Sequence, residues 1–198
     1  MCNLYRMTKT VSEVAAWFDA VADHVGANLG GEVFPGYPGA VIADGHLRQM
    51  TWGFPLVLKS KRTGEPLKPK PVNNTRADKL DTLFWRDSFE KRRCLIPVTA
   101  WAEAEGIKGA KTRTWLSRPD AELSAVAGIW RDSEEWGAAY SMVMTDSAGP
   151  AAEVHSRMPV LLSERDWTTW ANGSVPEARA LCGAWQGELA VERTSDRW

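Results

Sequence analysis

Residues 123–145 read LSAVAGIWRDSEEWGAAYSMVMT, and this stretch decides the fold. Two apolar runs, Leu123 to Trp130 and Ala139 to Thr145, have strand length and carry β-branched and aromatic residues. Cys94 to Val98 and Thr112 to Leu116 read the same way, and Cys2 to Met7 is a short alternating segment able to enter a sheet. Around Asp44-Gly45 the sequence predicts a hairpin, Ala40 to Ala43 on one side and His46 to Trp52 on the other, because Asp-Gly accepts the positive φ angles of a two-residue turn.

Helical patterns are scattered among these runs. Thr10 with Glu13 three residues on is a capping box, and Val14, Trp17, Phe18, Val21 and Val25 recur at helical spacing, which predicts a helix over about 11–25. A further helix is expected over 79–90, with Leu80, Leu83 and Phe84 on one face. Another opens at Ser163 and Asp166 and runs through Trp170, and Pro176 suits the first turn of a last one. Asn28 to Gly39 and Lys59 to Pro71 are expected as loops, and Leu189 to Arg193 as the strand that closes the sheet. Short strands in series with a few helices among them define an α+β protein with a curved, largely antiparallel sheet flanked by helices.

The chain has 198 residues, 44% apolar and 25% charged, which suits one soluble domain over 1–198. No apolar run reaches the length of a membrane span or of a signal peptide. Cysteines at 2, 94 and 182 and histidines at 24, 46 and 155 form neither a disulfide framework nor a metal motif. A cytoplasmic protein with reduced thiols and no cofactor is expected. The net charge of -1 hides an asymmetry: Lys59 to Arg93 holds eleven Lys or Arg against five Asp or Glu. That local excess can meet phosphates, although a solvated loop and an ordinary charged helix would look alike. Most of the eleven tryptophans should be core, with one or two left to stack on bases.

Four positions could carry chemistry. Cys2, once Met1 is removed, places an α-amine (pKa about 7.7–8.0) and a thiol (about 8.5) on one residue. Such a 1,2-aminothiol condenses with an aldehyde to an imine, which the sulfur closes to a thiazolidine. Asn74-Thr75-Arg76 offers an amide and a guanidinium suited to a polar or phosphorylated ligand. Glu103, in Trp101-Ala102-Glu103, sits where desolvation would raise a carboxyl toward acid–base use, though spacing leaves open a choice between it and Glu105. His155 begins His155-Ser156-Arg157-Met158-Pro159 and could protonate a sugar hydroxyl. Each has an ordinary structural alternative.

Taken in order, Met1-Cys2-Asn3-Leu4-Tyr5-Arg6, Asn74-Thr75-Arg76, Trp101-Ala102-Glu103 and His155-Ser156-Arg157-Met158-Pro159 resemble the SRAP family, the SOS response-associated peptidases or abasic-site processing proteins. Phe34-Pro35-Gly36-Tyr37-Pro38 and Trp52-Gly53 are similar too, so the resemblance spans nearly the whole chain. It implies a β-barrel-like core and a positively charged cleft. It also implies a covalent link between Cys2 and the ring-opened abasic sugar of single-stranded DNA, which shields the lesion from strand cleavage. By the same resemblance Asn74 orients the aldehyde, Glu103 and His155 move protons, Arg76 and Arg157 contact phosphates, Thr145 lies near the pocket and Trp52 packs on a base. Many members begin Cys-Gly-Arg-Phe where this chain has Cys2-Asn3-Leu4-Tyr5, and Ala102 and Ala104 replace bulkier aromatic residues. Arg86 is the nearest stand-in for a further DNA-contacting arginine. The implied protein is a monomer, associated with the nucleoid when on DNA and away from membranes, with replication proteins as conceivable partners. Weak lyase activity and self-processing to expose Cys2 are compatible with this. The competing reading is an N-terminal-nucleophile cysteine peptidase that cuts other proteins.

Overall fold

The two apolar runs of the deciding stretch form the longest strands of the molecule, Ser124–Ser133 and Gly137–Asp146, paired antiparallel from Gly128 opposite Met142 to Ser133 opposite Gly137. The computed structural model describes residues 2–23 and 31–198. Ser124–Ser133 pairs in turn with Arg93–Val98, which meets Pro38–Ala43, which forms a hairpin with His46–Trp52. The ring closes where His46–Trp52 returns to Gly137–Asp146 in parallel, Ala139 opposite Thr51 and Tyr140 opposite Trp52. Five strands thus make a closed barrel, which leaves few unpaired edges. The hairpin turns at Asp44 (φ 53°) and Gly45 (φ 75°), the positive pair of a type I′ turn.

A second, wholly antiparallel sheet packs beside the barrel. Its order is Gly31–Val33, Leu4–Met7, Ala100–Glu105, Thr112–Ser117 and Ala190–Arg197. Side chains alternate across it. Leu4, Ala100, Ala102 and Trp115 form a small apolar cluster on one face, with the Arg6 guanidinium 3.7 Å from the centroid of the Trp115 ring. Tyr5, Met7 and Trp101 belong to the main core instead. Alternation therefore carries Glu103, two residues past Trp101, to the inward face.

Two buried hydroxyls mark where sheet and barrel meet: Tyr5 Oη and Tyr140 Oη lie 2.5 Å apart. Both press on Gly39, where any added Cβ would strike them. A short strand, Asn74–Arg76, lies parallel to Gly137–Asp146 with Asn74 opposite Met142 and Arg76 opposite Met144. Thr75 is buried there and shares a hydrogen bond with Ser141 (Oγ1 to Oγ, 2.8 Å), so Asn74 and Arg76 fall on the other face of the strand.

Several local expectations are corrected. The first helix, Val11–Trp17, has its capping box at Thr10 and Glu13 but ends before Val21, which is 61% exposed and lies in the two-residue strand Val21–Ala22. Asp19 at φ 48° breaks the helical path, and Val25 lies outside the described residues. The expected loop before Gly39 contains the strand Gly31–Val33 and the start of Pro38–Ala43. Over 79–90 only Arg86–Lys91 is α-helical, after the 3-10 turn Ala77–Lys79. Leu83 is 86% exposed, because Phe84 and Trp85 are drawn into a ring cluster with Phe54 (Phe54–Trp85 centroids 5.2 Å, Phe84–Trp85 4.5 Å) and the turn between them faces solvent. Ala190–Arg197 does not close the sheet; it pairs with Thr112–Ser117 alone and forms the outer edge. The later helices, Trp167–Asn172 and Val175–Ala180, stand where expected, the second capped by Ser174 and Glu177. Among the described residues no helix is long and apolar enough to cross a membrane.

Candidate functional site

Cys2 enters the core just ahead of the strand Leu4–Met7 and is fully buried. Its thiol lies 3.4 Å from the Leu4 carbonyl and donates to it. Two side-chain amides converge on its own carbonyl: Asn73 Nδ2 donates at 3.0 Å and Asn74 Nδ2 at 2.6 Å. The Asn74 Oδ1 atom is buried and has no hydrogen-bond partner among the described residues, a cost that an incoming donor would relieve. Asn73 was not expected. Its signal was the doubled asparagine before Thr75, but only the three-dimensional structure shows that both amides reach one acceptor.

Trp52 stands behind Asn73. Its Nε1 donates to the Asn73 carbonyl at 3.0 Å, and its ring meets Tyr5 edge to face with centroids 4.9 Å apart. This corrects the expectation that Trp52 packs on a base, because the residue has no exposed surface. It buttresses the asparagines instead.

Glu103 is 2% exposed in its strand, not in a loop. Burial pushes its carboxyl up to about 7, with the positive charge of Lys111 pulling the other way. Burial also holds the Cys2 thiol far above its ordinary range, and the Glu103 charge adds to that, so carboxyl and thiol feel one another. Glu105 is different: the Thr114 hydroxyl (2.7 Å) and Arg193 (3.0 Å) bind it and hold its carboxyl below the usual range. The choice that spacing left open falls on Glu103.

His155 follows the short helix Pro150–Val154 and is partly buried. Its Nδ1 accepts from the Arg157 N–H at 3.0 Å, which leaves the proton of the neutral ring on Nε2. Burial lowers its pKa, and the charges of Lys111 and Arg157 reinforce that. Lys111 thus acts on both Glu103 and His155. It lies at the far end of the hairpin that carries Glu103, its Nζ 3.5 Å from the Ala104 carbonyl, and nothing in its local sequence marked it.

Arg76, Thr145 and Arg157 line one groove of about 300 Å3 together with Asp78, Asp146 and Cys182. Register explains the meeting: Arg76 sits opposite Met144 on one side of the Gly137–Asp146 strand, and Arg157 opposite Asp146 on the other. Both guanidiniums are engaged. Arg76 makes a two-pronged bond to Asp78 (2.8 and 2.7 Å), and Arg157 Nε lies 3.1 Å from Asp146. Such exposed pairs contribute about 0–1 kcal/mol each and yield readily to a phosphate. Thr145 Oγ1 donates to the Cys182 carbonyl at 3.4 Å.

The basic stretch shrinks on inspection. Arg93 is buried and donates to the carbonyls of Trp170, Phe89 and Gly173, so it is structural, and Lys91 and Arg92 both bind Asp87. No group of three or more His, Cys, Asp or Glu side chains able to hold a metal ion occurs among the described residues.

Barrel and site together define a small α+β protein whose second residue is seated among amides and a carboxyl of raised pKa. The chain belongs to the SRAP family: the family described as SOS response associated peptidase (SRAP) matches residues 1–197. The resemblance carried by the four motifs is borne out. The chain is 29% identical over 126 residues to the abasic site processing protein YMR114C of Saccharomyces cerevisiae, a match covering 61% of this chain and about a third (33%) of that protein. A crystal structure from Bacteroides thetaiotaomicron superposes with a TM-score of 0.80 at 20% identity, covering 97% of this chain and 91% of that one. One from Bordetella bronchiseptica gives 0.78 at 21%, covering 98% and 99%.

Proposed function

We propose that the protein captures abasic sites in single-stranded DNA through a covalent bond to Cys2, formed after Met1 has been removed. The observation that carries the reading is the seating of Cys2: its carbonyl is held by Asn73 and Asn74, and its thiol lies within the electrostatic reach of Glu103. The yeast relative named as an abasic site processing protein supports the substrate, and the groove holding Arg76 and Arg157 supplies two cations for the strand.

In this mechanism the Cys2 amine adds to C1′ of the open-chain sugar, and the carbinolamine loses water to give an imine. The thiol then adds across the C=N bond: sulfur bonds to C1′ and the thiol proton ends on nitrogen, closing a thiazolidine. Burial keeps the thiol protonated, so the amine attacks first and Glu103, near 7, accepts and returns protons at each step. Both nucleophiles belong to one residue, which makes the second attack intramolecular. Asn74, with its unpartnered Oδ1, receives the hydroxyl or amine hydrogen, and His155, neutral with Nε2–H, donates toward the sugar oxygen. Ring closure removes the imine that would promote β-elimination, so the strand stays whole. A single strand exposes C1′ without the unstacking cost of a duplex.

The peptidase reading gains no comparable support. Cutting the Met1–Cys2 bond would need donors on the carbonyl before Cys2, whereas the two amides hold the carbonyl after it. The decisive experiment mixes the Met1-free protein with an oligonucleotide carrying one abasic site and runs a denaturing gel without borohydride. A shifted band, lost in Cys2→Ala while slow strand cleavage persists, is the expected result. A stable adduct with Cys2→Ala, or none with the native protein, overturns it.

A further inference from the structure

A hollow of about 260 Å3 opens beside the nucleophile on the sheet that carries it, lined by Asn3, Leu4, Phe34, Pro35, Arg113 and Trp198. The groove of Arg76 and Arg157 is built on the barrel strands instead, so the two recesses belong to different sheets. We propose that this hollow is a nucleobase subsite that holds the base next to the abasic position; the inference rests on the reading of the protein as one that captures abasic DNA.

Three features select a base as the occupant. First, two aromatic residues in the wall are neither buried nor free: Phe34 is 38% and Trp198 42% exposed. Half-open rings suit stacking on any base. Second, the wall is fixed in place. Trp198 N–H donates to the Lys111 carbonyl at 3.0 Å, and Tyr37 meets the Phe34 ring at a centroid distance of 6.4 Å. Arg113 is clamped between Glu32 (2.9 Å) and the Arg197 carbonyl (3.1 Å), presenting a guanidinium whose charge is already balanced. A balanced, planar guanidinium favours a flat neutral ring over a phosphate.

Third, the hollow is coupled to the reacting residue. Asn3 follows Cys2 directly, and its Oδ1 accepts from Asn73 Nδ2 at 3.2 Å, the same amide that holds the Cys2 carbonyl. That bond fixes the Asn3 amide with its Nδ2 donor uncommitted among the described residues, a group able to meet the acceptor edge of a base. A base seated here would carry the adjoining sugar toward Cys2. The strand would then be gripped by a ring on one sheet and by phosphate contacts on the other.

The test uses oligonucleotides with one abasic site and 2-aminopurine immediately to its 5′ or its 3′ side. On capture by the native protein, the fluorescence of one of the two probes should fall several-fold. With Trp198→Ala or Phe34→Ala that quenching should be lost, and affinity for the unreactive tetrahydrofuran analogue should drop roughly 5- to 150-fold, the span of one base–aromatic stack. Trp198→Phe should restore both. If the native protein cross-links normally and neither probe responds, or Trp198→Ala binds as tightly as the native protein, the subsite is overturned while capture by Cys2 stands. If the native protein captures no strand, the capture reading itself fails and the subsite with it.

Discussion

The side-chain amide of Asn74 donates to the main-chain carbonyl of Cys2 across 2.6 Å, tying the start of the chain to a strand more than seventy residues away. This bond fixes the direction in which the Cys2 backbone leaves the site, and hence where its amine can point. Asn74→Ala should keep the fold, at a stability cost of about 1 kcal/mol. It should slow adduct formation on the order of 10- to 100-fold, read as a single-turnover rate on denaturing gels. Asn73→Ala should add to the loss because it removes the second donor to the same oxygen.

The Glu103 carboxyl, raised to about 7 by burial, imposes a signed pH dependence on stability. Between the ordinary carboxylate range and pH 7 the folded chain binds a proton that the unfolded chain has released. Stability from this group is therefore full below about pH 4.5 and falls as pH rises through 7. Glu103→Gln should flatten that decline in urea melts from pH 5 to 8. The same substitution should remove the inflection near 7 from the cross-linking rate profile.

Asp78 and Arg76 offer a test in the opposite direction. Because Asp78 occupies both prongs of the guanidinium, Asp78→Asn should tighten binding to single-stranded DNA. Arg76→Ala and Arg157→Ala should each weaken binding and lower the slope of log affinity against log salt by about 0.7. Titration of a labelled tetrahydrofuran oligonucleotide at several salt concentrations reads all three.

Gly39→Ala should destabilise the protein by about 1–3 kcal/mol, measured by denaturant unfolding, because the added methyl meets the paired hydroxyls of Tyr5 and Tyr140. Those rings cannot step aside, as both are fully enclosed.

The strands were legible where a run was apolar and of strand length, as at 94–98 and 123–145, and the Asp44-Gly45 turn and the Thr10–Glu13 cap were legible because their chemistry is local. The helix expected over 79–90 failed because tertiary packing of Phe84 and Trp85 with Phe54 outweighed a periodic pattern. The strand Ala100–Glu105 was hidden by its alanines, and with it the reason that Glu103 is buried and Glu105 is not. Asn73 and Lys111 went unseen because each acts on residues far along the chain. Trp52 was misread for the same reason: a tryptophan next to a site can serve by filling space behind it.

The complete burial of Cys2 also sets an order of events in the life of the chain. An aminopeptidase must grip the terminus in extended form, and the folded protein offers no such grip. The strand that follows Cys2, Leu4–Met7, takes its central partner from Ala100–Glu105, so it cannot dock until that hairpin has left the ribosome. The terminus therefore stays accessible through roughly the first half of synthesis, and folding then ends the opportunity. A chain that folds before it is trimmed would be well formed and inert, so the speed of barrel closure, and not stability alone, governs how much of the protein is active.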